Sequence, residues 1–200
     1  MTRPPTFVAP SAQVEEHAEI GAHVAIWQHS KVRHGARVGA GTRIGGGVYV
    51  GVGVVVGENS KIENGAQLFE GSRLGRGVFV GPCALLLNDR YPRATTPAGV
   101  IKDGKDWEVE GVTVDEGASV GGGAVLLPGA RIGAWALVGG GSVVVGEIAP
   151  YALVVGNPAR RVGTVCRCGR PFGESTSCAS CGVRLERSGD SEWPQVVEPA

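Results

Sequence analysis

An aliphatic residue returns at every sixth position of this chain. The series runs Val8, Val14, Ile20, Ile26, Val32, Val38, Ile44, Val50, Val56, Ile62, Leu68, Leu74, Val80, Leu86. A second series runs Val114, Val120, Leu126, Ile132, Val138, Val144. A small or β-branched residue stands four positions after nearly every aliphatic, among them Ala12, Val24, Ser30, Thr42, Ala66 and Ala84. Six is neither the α-helical period nor simple strand alternation. It suits a solenoid in which each flat face uses one hexad and three hexads close a triangular coil. The aliphatic then points inward and the small residue fits the constricted corner. Glycine directly after the aliphatic, as in Gly21, Gly39, Gly45, Gly51, Gly57, Gly75 and Gly81, is expected to permit the turn. Stacked coils pair as parallel strands about 4.8 Å apart. The predicted fold class is all-β: a left-handed parallel β-helix of hexapeptide repeats.

The 34 glycines in 200 residues fit this reading, because each coil of a solenoid is buried by its neighbours rather than by a bulky interior. No Gly-X-Y period with dense proline is present, which excludes collagen. A low-complexity tract has no reason to hold phase over so many hexads. A formal net charge of zero gives no basic footprint for nucleic acid and no polybasic membrane patch. The N-terminus has no apolar leader and no run reaches a membrane span, so a cytoplasmic location is expected, with neither nucleic acid nor membrane as partner.

The phase breaks between Leu86 and Val114, whose 28-residue separation is not a multiple of six. The intervening NDRYPRATTPAGVIKDGKDWEVEG is rich in proline, charge and turn formers. It predicts an excursion loop over 88–113, and long loops in compact domains tend to be functional. The solenoid domain is assigned to 1–164. A cysteine tail occupies 165–187, and the polar segment 188–200 is expected to be mobile. In the tail, Cys166, Cys168, Cys178 and Cys181 form C-x-C-G and C-x-x-C-G knuckles. Two such knuckles suit a tetrahedral zinc site, a small zinc-ribbon-like appendage, with free thiols as the alternative. A reducing cytoplasm disfavours disulfides. Cys83 reads as a packed small residue.

Four segments carry a resemblance: IWQHSKV at 26–32, KIENGAQLFEG at 61–71, GVFVGPCALLLNDRYPRA at 77–94 and YALVVGNPARRVG at 151–163. With them the chain resembles the hexapeptide-repeat acyltransferases over about residues 6–165. Within that family it is similar to the nucleotide-sugar N-acetyltransferases, which acetylate an amino group on a UDP- or dTDP-linked amino sugar. The hexads specify only the fold; NDRYPR and GNPAR, in that order, are more specific. The resemblance implies a homotrimer with acetyl-CoA and the amino sugar meeting in clefts between subunits.

Carried over residue by residue, the resemblance implies that Asn88 and Asp89 do the chemistry. Asn88 would orient the sugar amine and Asp89 would accept a proton or hold the amine; the local alternative is an Asn-Asp turn. Asn64 and Glu70 would lie near the sugar. Arg90 and Arg93 would meet a phosphate or carboxylate, or else be solvated loop charges. Tyr91 would stack on a ring or anchor the loop. Gly122, Gly140 and Ser142 would present backbone groups to the pantetheine. Pro158, Arg160 and Arg161 would contact the adenine and phosphates, in a segment that also reads as a turn-rich cap. All four histidines precede residue 35, so the loop holds no histidine base. That favours an amine acceptor over a hydroxyl. A γ-class carbonic anhydrase shares the fold, but His17, His23 and His29, six apart, fall on three different faces. A non-catalytic binding solenoid is the other alternative.

Overall fold

The computed structural model describes residues 4–173, 175–186 and 195–197. The hexads fold as a parallel β-solenoid, and no α-helix occurs among the described residues. Each hexad contributes one two-residue strand, and the strands stack into three sheets, one per face. The first face begins Phe7–Val8, Ala25–Ile26, Arg43–Ile44; the second Gln13–Val14, Lys31–Val32, Tyr49–Val50; the third Glu19–Ile20, Arg37–Val38, Val55–Val56. Partners in adjacent coils are 18 residues apart, as in Ile44 with Ile62, except at the last coil, where they are 16 apart, as in Leu137 with Leu153. Across the excursion they are 40 apart, as in Leu74 with Val114 and Leu86 with Leu126. The excursion therefore adds 22 residues to one coil without disturbing the stack. It leaves at the edge between the second and third faces.

The aliphatic series fills the interior. From Ile26 through Val144 its members are buried. Val8 and Val14 are instead 42% and 38% exposed, because no coil lies beneath the first one among the described residues. Corner hydroxyls are part of the stack. Ser30, Thr42 and Ser60 each donate to the carbonyl fifteen residues on, at Gly45, Gly57 and Gly75. Ser72 is the exception: its buried hydroxyl has no partner among the described residues. Its counterpart carbonyl belongs to Leu87, where the chain departs into the loop.

The glycines that follow the aliphatic are explained differently from expectation. They do not take the left-handed turn conformation. That slot lies three residues after the aliphatic, as at Gly47 (φ 66°) and Gly53 (φ 63°), and it also accommodates His17, His23, His29, Asn59, Cys83 and Trp135. Gly39 is required by proximity instead: a Cβ there would lie 2.5 Å from the backbone nitrogen of Glu58 in the next coil.

The last coil is closed by a hairpin. Ala152–Val155 continues the first face and pairs antiparallel with Arg160–Thr164. The cysteine tail follows and makes its own small cluster of Cys166, Phe172, Cys178 and Val183. Much of 188–200 lies outside the described residues; Gln195–Val197 pairs with Arg184–Glu186. No helix among the described residues is long and apolar enough to cross a membrane.

Leu68, fully buried in mid-stack, and Val14, at the open end, predict a graded response to truncation. Leu68→Ala should cost about 2–5 kcal/mol, and Val14→Ala less than about 1 kcal/mol. Denaturant melts of the two variants check this; equal losses would mean the open end is covered.

Candidate active site

The expected site residues fall on two different edges of the prism. The first edge, between the first and second faces, is a column linked by backbone hydrogen bonds. Gly47 donates to Gln28, Gly65 to Gly46, Cys83 to Asn64, Gly123 to Pro82 and Gly141 to Gly122. Asn64, Gly122 and Gly140 lie on this column, and the hairpin tip with Pro158 closes its far end. The tip is held there by Val143, whose N–H donates to Gly156 and whose carbonyl accepts from Ala159. Ser142 is buried, and its hydroxyl accepts the Gly156 N–H at 3.1 Å. Its side chain is thus committed inward. The Asn64 side chain caps the coil below, accepting from Gly46 N–H at 2.8 Å.

A cavity of about 380 Å³ opens on the early part of this edge, lined by Trp27, Gln28, Arg43, Gly46, Lys61 and Asn64 among others. Its two cations, Arg43 and Lys61, come from the outward positions of the first face. Lys61 is paired with Glu63 at 2.8 Å. The late part of the edge is flanked by half-buried apolar side chains: Phe79, Leu137 and Leu153 on the first face, Leu85, Val125 and Val143 on the second. The third face differs, with Arg37–Glu19 and Arg131–Glu147 pairs facing outward.

The second edge carries Glu70, Asn88, Asp89, Arg90, Tyr91 and Arg93. Glu70 is exposed in the coil below the loop exit. Asn88 is half-buried; its carbonyl accepts the Glu110 N–H, which joins the two ends of the loop. Asp89 accepts the Tyr91 N–H at 3.0 Å, so the Asn-Asp turn exists. One oxygen of that carboxylate suffices for the turn. Tyr91 is 78% exposed. Among the described residues, Arg93 donates to its neighbour's carbonyl, on Pro92. Arg90 is engaged within the chain: it forms a bidentate pair with Glu110 and donates to the Pro128 carbonyl. It locks the neck of the loop to the next coil.

Sequence reasoning missed the rest of this region. Asp89, Arg90 and Tyr91 line a cavity of about 560 Å³ together with Lys102, Asp106, Trp107, Glu108, Val109 and Glu110. Four carboxylates against two cations make it acidic, suited to a cationic or amine-bearing ligand. The available signal was the acid-rich DWEVE run, which returns to the solenoid beside NDRY.

The four tail cysteines converge. Their sulfurs all lie within 4.8 Å of one another, with Cys166–Cys181 at 3.3 Å and Cys168–Cys178 at 3.5 Å. A zinc tetrahedron with 2.3 Å bonds has sulfurs about 3.8 Å apart, so the set fits a metal ion. N–H groups of Ser180 and Cys181 lower the Cys178 thiol to about 6, whereas burial pushes Cys166 up. No other group of three or more His, Cys, Asp or Glu is placed to hold a metal among the described residues.

No protein-family model matches the chain. Over 75 residues it is 44% identical to dTDP-3-amino-3,6-dideoxy-α-D-galactopyranose 3-N-acetyltransferase of Aneurinibacillus thermoaerophilus. The chain is similar to a nucleotide-amino-sugar N-acetyltransferase. The match takes in 36% of this chain and 39% of the relative, so it spans about two fifths of that protein's length. Among solved structures, a hexapeptide-repeat acetyltransferase of Vibrio cholerae complexed with acetyl-CoA superposes with a TM-score of 0.52 at 19% identity, covering 65% of this chain and 70% of that one. WeeI of Acinetobacter baumannii gives 0.51 at 19% identity, covering 77% and 56%. Both likenesses concern the fold.

Arg90 gives this region a pH dependence. Its guanidinium holds the Glu110 carboxyl below the usual carboxylate range. A depressed folded-state pKa means the pair stabilises the loop above the ordinary value and is lost as pH falls through the lowered one. Hydrogen-exchange protection across 88–112, corrected for the intrinsic pH dependence of exchange, should therefore fall in acid, and Glu110→Gln should show the low protection already at neutral pH.

Proposed function

We propose that this chain is an acetyl-CoA-dependent N-acetyltransferase acting on the amino group of a nucleotide-linked amino sugar in surface-polysaccharide or glycan precursor synthesis. The observation that carries this reading is the 44% identity to a dTDP-amino-sugar 3-N-acetyltransferase. The acidic cavity at Asp89 supports it, because an amino sugar arrives largely as an ammonium and must be held before it loses its proton. The neutral amine then attacks the thioester carbonyl carbon, with the nitrogen positioned by Asn88. The C–S bond breaks; of the two protons the ammonium gives up, one leaves to solvent before the attack and the other passes to Asp89 or to the departing thiolate.

Acetyl-CoA lies along the first edge in this reading. Gly122 and Gly140 leave the backbone open to the pantetheine, and Pro158, Arg160 and Arg161 meet the nucleotide. The acceptor's diphosphate suits Arg43 and Lys61 in the early cavity, beside Trp27 and Asn64. Glu70, Tyr91 and Arg93 would complete the sugar pocket. Arg90 acts there by holding the loop rather than by touching an anion.

The two halves of the site occupy different edges of one prism, so a single chain does not complete it. A homotrimer that sets the loop edge of one chain against the first edge of the next does. The apolar flanks of the first edge, opposed to a charged third face, are the surfaces such an assembly would cover. A structural zinc in the tail and action in the cytoplasm, where acetyl-CoA and reduced thiols coexist, belong to the same reading. The carbonic anhydrase alternative has less support, since the metal-binding group among the described residues is made of cysteine.

Thiol release from acetyl-CoA, measured over a panel of UDP- and dTDP-amino sugars, tests the proposal. Turnover with one of them should fall at least about 100-fold in Asn88→Ala with assembly intact. Binding of neither acetyl-CoA nor any amino sugar sinks the reading. Shared sites have a separate test. Coexpressing Asn88→Ala chains with Arg160→Ala/Arg161→Ala chains should recover part of the turnover that each lacks at low acetyl-CoA. Strictly additive activities would place each site within one chain.

A further inference from the structure

The cysteine cluster is joined to the proposed acetyl-CoA segment by a short relay. Thr164 is the last residue of the hairpin strand Arg160–Thr164 and pairs with Ala152. Its hydroxyl accepts from Arg161 Nη2 at 3.1 Å, while Arg161 Nε donates to the Gly163 carbonyl at 3.1 Å. The Thr164 carbonyl accepts the Phe172 N–H at 3.1 Å, from inside the cysteine cluster. One residue on, Val165 donates to the Tyr151 carbonyl and bridges Pro171; Cys166 comes next. Arg167 lies over the Trp135 ring at 5.0 Å, which seats the tail on the solenoid.

This tail has little to hold it together by itself. Its cluster is Cys166, Phe172, Cys178 and Val183, with Leu185 and Val196 alongside. A core of that size does not fold without a cross-link or a metal. The four sulfurs are spaced as the corners of a tetrahedral metal site. Whatever fills that site fixes the far anchor of Thr164.

We propose that a zinc ion held by Cys166, Cys168, Cys178 and Cys181 clamps the C-terminal hairpin and thereby orients Arg161 through Thr164, so that the cysteine knot sets the chain's affinity for coenzyme A. This rests on the acyltransferase reading above. Without the ion, residues 165–186 lose their common anchor. The final hairpin pair then frays, and Arg161 loses the hydroxyl that fixes one arm of its guanidinium. The solenoid core does not depend on the ion, because its buried cluster runs separately through the stack.

Zinc content of the full chain and its coenzyme A affinity by calorimetry test this, before and after chelation. One zinc ion per chain is expected, with coenzyme A binding weakened roughly tenfold on its removal, the loss of about one charge-assisted contact. The double variant Cys178→Ser/Cys181→Ser should lose zinc and show the same weakening. Thr164→Val keeps all four ligands, so it should retain zinc yet weaken coenzyme A to a similar degree. Absence of bound zinc overturns the proposal, as does zinc whose removal leaves the affinity unchanged. A Thr164→Val chain with zinc and unaltered affinity also overturns it. A zinc-loaded chain that binds no coenzyme A sinks the acyltransferase reading, and this coupling with it.

Discussion

Every coil of this molecule is held by backbone hydrogen bonds to the coil beside it, with paired residues 18 apart except across the excursion, where they are 40 apart, and at the last coil, where they are 16 apart. All else follows from that register. It brings like hexad positions into columns, so that isoleucine lies over isoleucine inside and, at the corner, Gly47 repeats the left-handed turn position of His29 one coil earlier. A column is therefore the natural unit of function here: a linear ligand can follow one edge and meet the same backbone geometry at every coil. The register also explains why a 22-residue insertion is tolerated. The chain leaves from Leu86 and re-enters at Thr113 with both neighbouring ladders intact. The cost shows only locally, at the Ser72 hydroxyl left without its carbonyl.

The fold was legible because the constraint is periodic. Each hexad repeats the same demand for an inward aliphatic and a small corner residue, and errors at one position do not erase the phase. The role of individual glycines was less legible. A sequence does not distinguish a glycine needed for positive φ from one needed because the next coil passes within 2.5 Å of its missing Cβ. Histidine at the left-handed slot, as at His17, His23 and His29, compounds the ambiguity, since a residue chosen for a turn resembles one chosen for chemistry.

The site was legible in composition and not in arrangement. NDRY marks where the chain leaves the solenoid, but nothing in it announces that Arg90 spends its guanidinium on Glu110, twenty residues on. That pairing is a tertiary consequence of the loop's two ends meeting at one edge. The acidic cavity is a consequence of the same closure, since Asp106 and Glu108 come from the returning segment of the loop. Loop sequence lacks a period, so no neighbouring repeat reports where its side chains point.

The division of the site over two edges bears on why such a chain would carry a metal-sized cysteine cluster at its end. A solenoid has rigid middles and weak ends: Val8 and Val14 are uncovered at one end, and at the other a single antiparallel hairpin closes the stack. The first edge is used along its whole length if two ligands meet on it, so the far end has to be as well ordered as the middle. Backbone hydrogen bonds to Val143 hold the hairpin tip, but the strand that bears Arg160 and Arg161 is the edge of its sheet and pairs on one side only. An edge strand of five residues frays from its end unless something beyond it is fixed. The cysteine cluster begins two residues past that terminus. Its position, rather than its chemistry, is the reason to assign it to the proposed coenzyme A end of the candidate site.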